Sequence, residues 1–149
     1  PVFFDGTIRE NLMTQRPDMN DQMLQQIVGR AGLNRFLDQS PDGLETMLAN
    51  GGMNLAVGIR RRLALARALV SDGMLAVFDE PVGGLDNEGI TVVSNVMRDL
   101  LKSGRALVVC SHNPNILQAS GFRLDLNRKP IPELTPFTME RPAIPDKRP

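Results

Sequence analysis

Tryptophan and tyrosine are absent from the sequence, cysteine occurs once, and neither sign of charge is in excess. The single cysteine, Cys110, excludes an internal disulfide and is typical of a reducing compartment; we expect it to be a small, buried strand residue. Because 17 basic residues balance 17 acidic ones, the composition favours neither a nucleic-acid-binding tail nor a polybasic membrane patch. No apolar run approaches the length that crosses a bilayer, so the sequence predicts no membrane-spanning helix.

The apolar pattern predicts an alternation of strands and helices. Residues 74–78 and Ala106–Cys110 are apolar runs of strand length, and apolar residues recur at helical spacing over 90–101 between them. Strand, helix and strand in this order are typical of a parallel sheet whose strands are buried. A further helix is predicted over Val57–Val70, which is rich in alanine, leucine and arginine. We also expect an edge strand with one solvent-facing side to begin at Phe122.

The predicted helix over Val57–Val70 has an unusual start. Asn54 precedes it and is a suitable capping residue. Its first turns carry three consecutive basic residues, Arg60, Arg61 and Arg62. They form either a solvated helix face or an anion patch near a nucleotide, and for Arg61 we expect the solvated face.

Two carboxylates and a proline directly follow the first predicted strand: Asp79, Glu80 and Pro81. Proline cannot donate to a strand ladder, so the strand is expected to end there. Acids at the carboxyl end of a buried parallel strand lie where open α/β sheets bind their ligands. One carboxylate can hold Mg²⁺ and the other can act as a base toward water. An acidic turn without a ligand is the simpler alternative, and the neighbouring motifs weigh against it.

Read in order, these motifs resemble the C-terminal half of an ATP-binding-cassette (ABC) ATPase domain, and most closely the exporter type. The resemblance extends over residues 1–127. Residues 4–12 are similar to the exporter segment after the glutamine loop, and residues 54–69 to the signature motif and its helix. The acidic strand resembles Walker B, residues 83–86 the D-loop, and His112 the switch histidine. Each match is weak alone, whereas their shared order and spacing are specific.

The resemblance implies roles for particular residues. Asp79 would hold Mg²⁺, largely through water, Glu80 would polarise the attacking water as general base, and His112 would reach the γ-phosphate. Asp86 would act at a dimer interface, and it is also placed to cap the next helix. The signature residues implied to contact ATP are Leu55, Ala56, Val57, Gly58 and Ile59.

The sequence also departs from the family pattern. It contains no G-x-x-x-x-G-K-S/T phosphate loop (Walker A), so this half would come from upstream chain or from another subunit. Without that half the sheet would lack several strands, and its apolar faces would be partly uncovered. The signature, usually L-S-G-G-Q, lacks the serine hydroxyl at Ala56 and a glycine at Val57. The exporter loop T-x-V-G-E-x-G has Asn50 in place of the acid that would contact the transmembrane partner. Because the acidic pair and the switch histidine are intact, this combination resembles asymmetric exporters with one weakened composite site.

The implied fold class is α/β, a partial P-loop-NTPase-like parallel sheet with a small α-helical subdomain. We divide the sequence into a helical part with the exporter segment at 1–54, an α/β part with the remaining motifs at 55–127, and a proline-rich tail at 128–149 that is extended or disordered. Pro1 suits a natural start, because initiator methionine is readily removed before proline, and equally suits a fragment boundary.

The implied function is that of an exporter nucleotide-binding domain at the cytoplasmic face of the cell (inner) membrane. Type I protein-secretion and lipid- or peptide-exporting proteins are the nearest relatives that the resemblance suggests. The implied cofactors are ATP and Mg²⁺. The implied partners are a second ABC ATPase domain, in a head-to-tail dimer, and a transmembrane domain, with no nucleic acid. We expect no ATP hydrolysis by the chain alone, because it lacks the phosphate loop.

Two alternatives stay open. The first is a catalytically inactive, truncated cassette that acts as a pairing or regulatory module; the missing phosphate loop and altered signature favour it. The second is a segment of a DNA-repair or chromosome-maintenance ABC ATPase. Such proteins need long heptad-patterned coiled coils, and the sequence shows none.

Overall fold

The computed structural model describes residues 2–136, and the chain divides into two compact units between Cys110 and Ser111. Most of the tail that the sequence predicts to be extended or disordered, residues 137–149, lies outside the described residues, as does Pro1. Among residues 2–136, none of the helices combines the length and the apolarity that a bilayer crossing requires.

The first unit opens with a small helical segment. Its elements are β1 (Gly6–Thr7), α1 (Ile8–Met13), α2 (Asp21–Arg30), α3 (Asn34–Gln39), a 3-10 turn (Gly43–Glu45) and β2 (Met47–Leu48). The strands β1 and β2 pair antiparallel. Thr7 and Glu10 form a capping box at the start of α1, in which the Glu10 amide donates to the Thr7 hydroxyl over 3.1 Å. Asn20 caps α2 by accepting from the Met23 amide.

A buried asparagine fixes the chain that leads into α1. Asn11 is only 1% exposed, and its side-chain amide donates to the carbonyls of Phe4 and Thr7, each over 3.0 Å. Its side-chain oxygen accepts from the Phe4 amide over 3.2 Å. Since a buried polar group without partners would be strongly destabilising, these bonds hold the segment from Phe4 to Thr7 in one conformation.

The second half of the unit supplies the parallel sheet. Its elements are α4 (Val57–Val70), β3 (Leu75–Asp79), α5 (Asn87–Lys102) and β4 (Ala106–Cys110). The strands β3 and β4 pair parallel, with Leu75 opposite Ala106 and Asp79 opposite Cys110. Helix α5 buries Val93, Val96 and Leu100 at helical spacing. The predicted fold class, a partial α/β sheet with a small helical segment, is confirmed.

The sheet is more exposed than the apolar pattern of its strands predicts. Leu75, Val77 and Val108 are 56%, 66% and 49% exposed, and Cys110 is also exposed. The partly uncovered sheet agrees with what the missing half implies, whereas the prediction of buried strands and a buried Cys110 from the local pattern is wrong. The physical reason is that, in the described part of the chain, β3 and β4 pair only with each other, so their outer edges and part of their faces meet solvent.

Asn54 does not cap α4, contrary to the sequence prediction. The N-cap residue is Ala56, which provides no side-chain hydrogen bond. Asn54 instead accepts from the Ala49 amide over 3.0 Å and donates to the Met47 carbonyl over 2.9 Å. Its side chain therefore closes the loop before α4 and leaves the first turn of α4 without a capping side chain.

The second unit contains α6 (Pro114–Gln118), β5 (Phe122–Asp125) and β6 (Glu133–Pro136). Strands β5 and β6 pair antiparallel. Phe122 and Leu124 are 66% and 55% exposed, although the alternating pattern predicts that they face a core. That prediction is wrong, because among the described residues the ribbon of β5 and β6 leaves both of these side chains exposed.

Candidate functional site

The acidic pair lies where β3 ends, as the sequence predicts. Asp79 is the last residue of β3, and Glu80 follows with a backbone φ of 42°. A residue with a Cβ is rarely found in this left-handed region, which costs roughly 1–2 kcal/mol. The Glu80 amide donates to the Cys110 carbonyl over 2.9 Å, and the Glu80 carbonyl accepts from the Gly83 amide over 3.2 Å. Both peptide groups of the strained residue are thus held in place.

The chain then makes a tight turn into α5. The Leu85 amide donates to the Val82 carbonyl over 3.2 Å, and Gly84 supplies a φ of 68°. Asp86 caps α5, since its Oδ1 accepts from the Gly89 amide over 2.8 Å. The capping role predicted for Asp86 is confirmed, and its predicted role at a dimer interface stays a prediction. We call residues 80–86 the acidic turn.

A cavity of about 510 Å³ lies between α4 and β3. Asp79 and Glu80 line it, together with Arg61 from α4 and Arg105, which directly precedes β4. Arg105 Nη1 donates to the Ala68 carbonyl of α4 over 2.9 Å. The site therefore combines two carboxylates with two guanidinium groups that belong to different elements.

Arg61 is not on a solvated face, so that sequence prediction is wrong. Its guanidinium is half-buried and Nη1 donates to the Gly83 carbonyl of the acidic turn. The signal in the sequence is the helical spacing, because Arg61 shares a face with Ala64, Leu65 and Ala68, which also line the cavity. An arginine on the apolar face of a helix needs a partner inside the fold.

The predicted signature residues lie at the start of α4. Leu55 donates its amide to the Gly52 carbonyl over 3.0 Å, Ala56 is the N-cap, and α4 begins at Val57. Val57 is 55% exposed, and a Cβ added to Gly58 would meet no atom within 4 Å. An exposed helix N-terminus without a capping side chain has amide groups available to an anion. The residues present thus fit a phosphate group approaching from outside the chain.

The side chains around Asp79 provide few ligands for a metal ion by themselves. Among residues 2–136, there is no group of three or more histidine, cysteine or acidic side chains that would hold a metal ion. Mg²⁺ commonly uses one or two carboxylates and takes its other ligands from substrate phosphates and water. The site therefore fits a Mg²⁺ ion that arrives with a nucleotide, with Asp79 as its carboxylate.

His112 belongs to the second unit. It follows β4 closely along the chain, and the Ser111 hydroxyl before it accepts from the Asn113 amide over 3.1 Å. Its predicted role toward the γ-phosphate stays a prediction.

The loop that carries Asn50 is left-handed over consecutive residues. Asn50, Gly51 and Gly52 have φ values of 52°, 69° and 81°, and the Gly51 amide donates to Asp5 Oδ1 over 3.3 Å. Asparagine tolerates the left-handed region better than a longer acid does. The departure at Asn50 therefore suits the backbone of this loop.

Several curated proteins are similar to the chain. The mitochondrial potassium channel ATP-binding subunit of Xenopus tropicalis is 33% identical over 133 residues, which is 89% of this chain and 19% of the relative. The type I secretion system ATP-binding protein PrsD of Rhizobium meliloti is 34% identical over 83% of this chain and 21% of its own length. The ATP-dependent lipid A-core flippase of Neisseria meningitidis is 33% identical over 71% of this chain and 17% of its own. No protein-family model matches the chain.

The fold is similar to that of a solved structure of a bacterial Atm1-family ABC exporter with ATP bound. The TM-score is 0.73 at 26% sequence identity, over 83% of this chain and 21% of the solved chain. The chain spans about a fifth of the length of the relatives from Xenopus and Rhizobium. From the sequence motifs, the fold and these relatives, the chain belongs to the ABC exporter family and corresponds to the C-terminal half of its ATP-binding domain.

Proposed function

We propose that this half-domain takes part in ATP binding and hydrolysis and couples them to transport across a membrane. The observation that carries the proposal is the geometry of Glu80. A glutamate in a strained, left-handed conformation directly follows Asp79 at the end of a parallel strand. Strain of this kind persists where surrounding structure over-determines it, and it is concentrated at functional sites.

The two acids have different roles in this proposal. Asp79 binds the Mg²⁺ that accompanies the nucleotide, and this ion supplies charge neutralisation for the phosphates when it is bound. Glu80 orients a water molecule and accepts its proton. The bond from the Glu80 amide to the Cys110 carbonyl holds the carboxylate's backbone in register with the sheet. His112 assists from the γ-phosphate side.

The signature segment, residues 55–59, contacts the ATP that a partner cassette binds. Ala56 lacks the hydroxyl donor that the family pattern has at this position. The loss of one hydrogen bond to a charged group costs roughly 1.5–3 kcal/mol. If that bond acts in the transition state, the rate falls on the order of tenfold to hundredfold. We therefore propose an asymmetric pair in which the composite site completed by this chain is the weaker one.

The proposal includes the location and the partners. The nucleotide-binding domain lies at the cytoplasmic face of the cell (inner) membrane, beside a transmembrane domain and a second cassette in a head-to-tail dimer. A Walker A half comes from elsewhere in the protein or from another subunit. The relatives are named for a potassium channel, secretion and lipid flipping, which supports transport over the DNA-maintenance alternative.

The test is Mg-ATP turnover by the native protein carrying Glu80→Gln. We expect turnover to fall by about a hundredfold or more, because general-base catalysis contributes on that order, while ATP binding is retained. Glu88→Gln is the matched control, since the Glu88 side chain is 72% exposed and lies in the first turn of α5. Equal turnover by the two variants would contradict the proposed role of Glu80.

A pairing module without catalysis is the second candidate. The observation that favours it is the start of α4, where Ala56 provides no side-chain hydrogen bond. The double change Ala56→Ser and Val57→Gly restores the family pattern. A gain in Mg-ATP turnover of about tenfold supports a weakened but working site. If the native protein shows no Mg-ATP turnover either before or after this change, it is a pairing module.

A further inference from the structure

We propose that Arg61 is a positioning residue that ties the signature helix α4 to the acidic turn, so that the signature segment and Glu80 keep a fixed relative position. This inference rests on the proposed ATPase function. It adds a connection within one chain between a segment that contacts the partner's nucleotide and the residue that acts on water.

The first observation is the contact itself. Arg61 Nη1 donates to the Gly83 carbonyl, which lies 22 residues further along the chain. Gly83 is in the middle of the acidic turn, and its amide donates to the Glu80 carbonyl over 3.2 Å. A single residue, Gly83, therefore connects the Arg61 guanidinium to the hydrogen bond that closes the turn on Glu80.

The second observation is how closely the guanidinium follows the turn. A Cβ built on Gly84 would lie 3.9 Å from Arg61 Nη1, so the side chain runs against two successive residues of the turn. Arg61 is half-buried, and it lines the same cavity as Asp79 and Glu80. A guanidinium is permanently charged and presents its donors in a rigid fork, which makes such a contact directional.

The third observation is the strain at Glu80, whose φ is 42°. A left-handed glutamate relaxes toward an ordinary conformation unless several contacts hold it. In the described residues these contacts include the Cys110 carbonyl on one side and the Gly83 amide on the other. Arg61 on α4 holds the Gly83 carbonyl, so removing the Arg61 side chain weakens the support of Glu80 on the Gly83 side.

The chain contains a matched control for this arginine. Arg67 also lies on α4 and is also half-buried, and its Nη1 donates to a distant backbone carbonyl, that of Val2, over 2.8 Å. Arg67→Met therefore removes a contact of the same chemistry from the same helix without touching the acidic turn or the cavity. A loss that is merely structural would affect the two variants alike.

The experiment compares Arg61→Met, Arg61→Lys and Arg67→Met in the native protein, by Mg-ATP turnover and by hydrogen exchange of the peptide that contains Gly83 and Gly84. For Arg61→Met we expect kcat to fall on the order of tenfold with little change in KM for ATP, because the turn is displaced while nucleotide contacts remain. Exchange of the Gly83 and Gly84 amides becomes faster. Arg61→Lys recovers part of kcat, since it keeps the charge and a donor, and Arg67→Met leaves both readouts at the wild-type level.

Equal kcat and equal exchange in Arg61→Met and Arg67→Met would overturn the inference. A fall in stability alone, with kcat per folded molecule unchanged, would overturn it as well. Wild-type protein and Glu80→Gln are measured in the same series. If turnover does not depend on Glu80, the proposed function fails; if it does and Arg61→Met is normal, only the inference about Arg61 fails.

Discussion

The helical segment before α4 and the parallel sheet of β3 and β4 differ in how far their apolar side chains are buried. In the helical segment, Ile8, Leu24 and Leu48 are fully buried, and capping residues close the starts of α1 and α2. In the sheet, Leu75 and Val77 are more than half exposed. The helical segment buries its apolar side chains, in part against α4, whereas apolar exposure of the sheet's kind is typical of interaction surfaces.

The largest expected effect is on the free energy of unfolding, and a matched pair of leucines tests it. In the 149-residue chain, Leu24→Ala should lower the free energy of unfolding by about 2–5 kcal/mol, because it leaves a cavity in a closed core. Leu75→Ala should change it by at most about 0.5 kcal/mol, as for an ordinary exposed site. Urea unfolding measures both values.

The same pair in the native protein sharpens the comparison. If another polypeptide segment covers the sheet, Leu75→Ala becomes markedly more destabilising there than in the 149-residue chain. Leu24→Ala should have about the same effect in both settings. A large effect of Leu75→Ala in the 149-residue chain itself would break the comparison between the two regions.

A smaller effect concerns the backbone of the acidic turn. Glu80→Gly and Glu80→Ala both remove the carboxylate, so their difference isolates the left-handed conformation. We expect the glycine variant to be the more stable by about 1 kcal/mol, since glycine adopts positive φ without strain. Gln26, an exposed residue inside α2, is the control. There glycine should be less stable than alanine by about 1 kcal/mol. The same sign at both positions would contradict a strained Glu80.

The smallest expected effect on stability comes from ion pairs at the surface of the helical segment. Arg9 lies 2.6 Å from Glu45 and 2.5 Å from Asp21, and these hydrogen bonds, Glu45 first, raise its pKa above the usual value. Because both acids are mostly exposed, Arg9→Met should cost at most about 1 kcal/mol, and less at high salt.

The pH dependence of the Arg9 contribution has a definite sign. A raised pKa in the folded state gives stability that is fully present below the unfolded-state pKa and is lost as pH rises through the folded-state pKa. For arginine this window is strongly alkaline. The difference in unfolding free energy between wild type and Arg9→Met should therefore show no titration of Arg9 across the neutral range. Such a titration would contradict an Arg9 with a raised pKa.

Local patterns in the sequence predicted the elements well. The bounds of α4 at Val57–Val70 and of β4 at Ala106–Cys110 agree with the structure, because helical composition and a short apolar run are properties of adjacent residues. The end of β3 at the acidic pair follows in the same way, since Pro81 cannot extend a ladder.

Contacts between distant residues were the part that the sequence did not disclose. The missing half implies a partly uncovered sheet, but the particular exposure of Leu75 and Val77 depends on which strands accompany β3, and no local pattern contains that information. The bond from Arg61 to Gly83 and the loop-closing bonds of Asn54 depend on where separate segments meet. The left-handed φ of Glu80 depends on the Cys110 carbonyl beyond α5. Tertiary structure decides each of these features.

The exposed thiol of Cys110 offers an attachment point for a probe of the acidic turn. Cysteine occurs once in the 149-residue sequence, and the backbone carbonyl of this same residue accepts the Glu80 amide hydrogen. A fluorophore or spin label attached there sits at the far end of that hydrogen bond. In the 149-residue chain, a displacement of the acidic turn is therefore expected to change the signal of such a label.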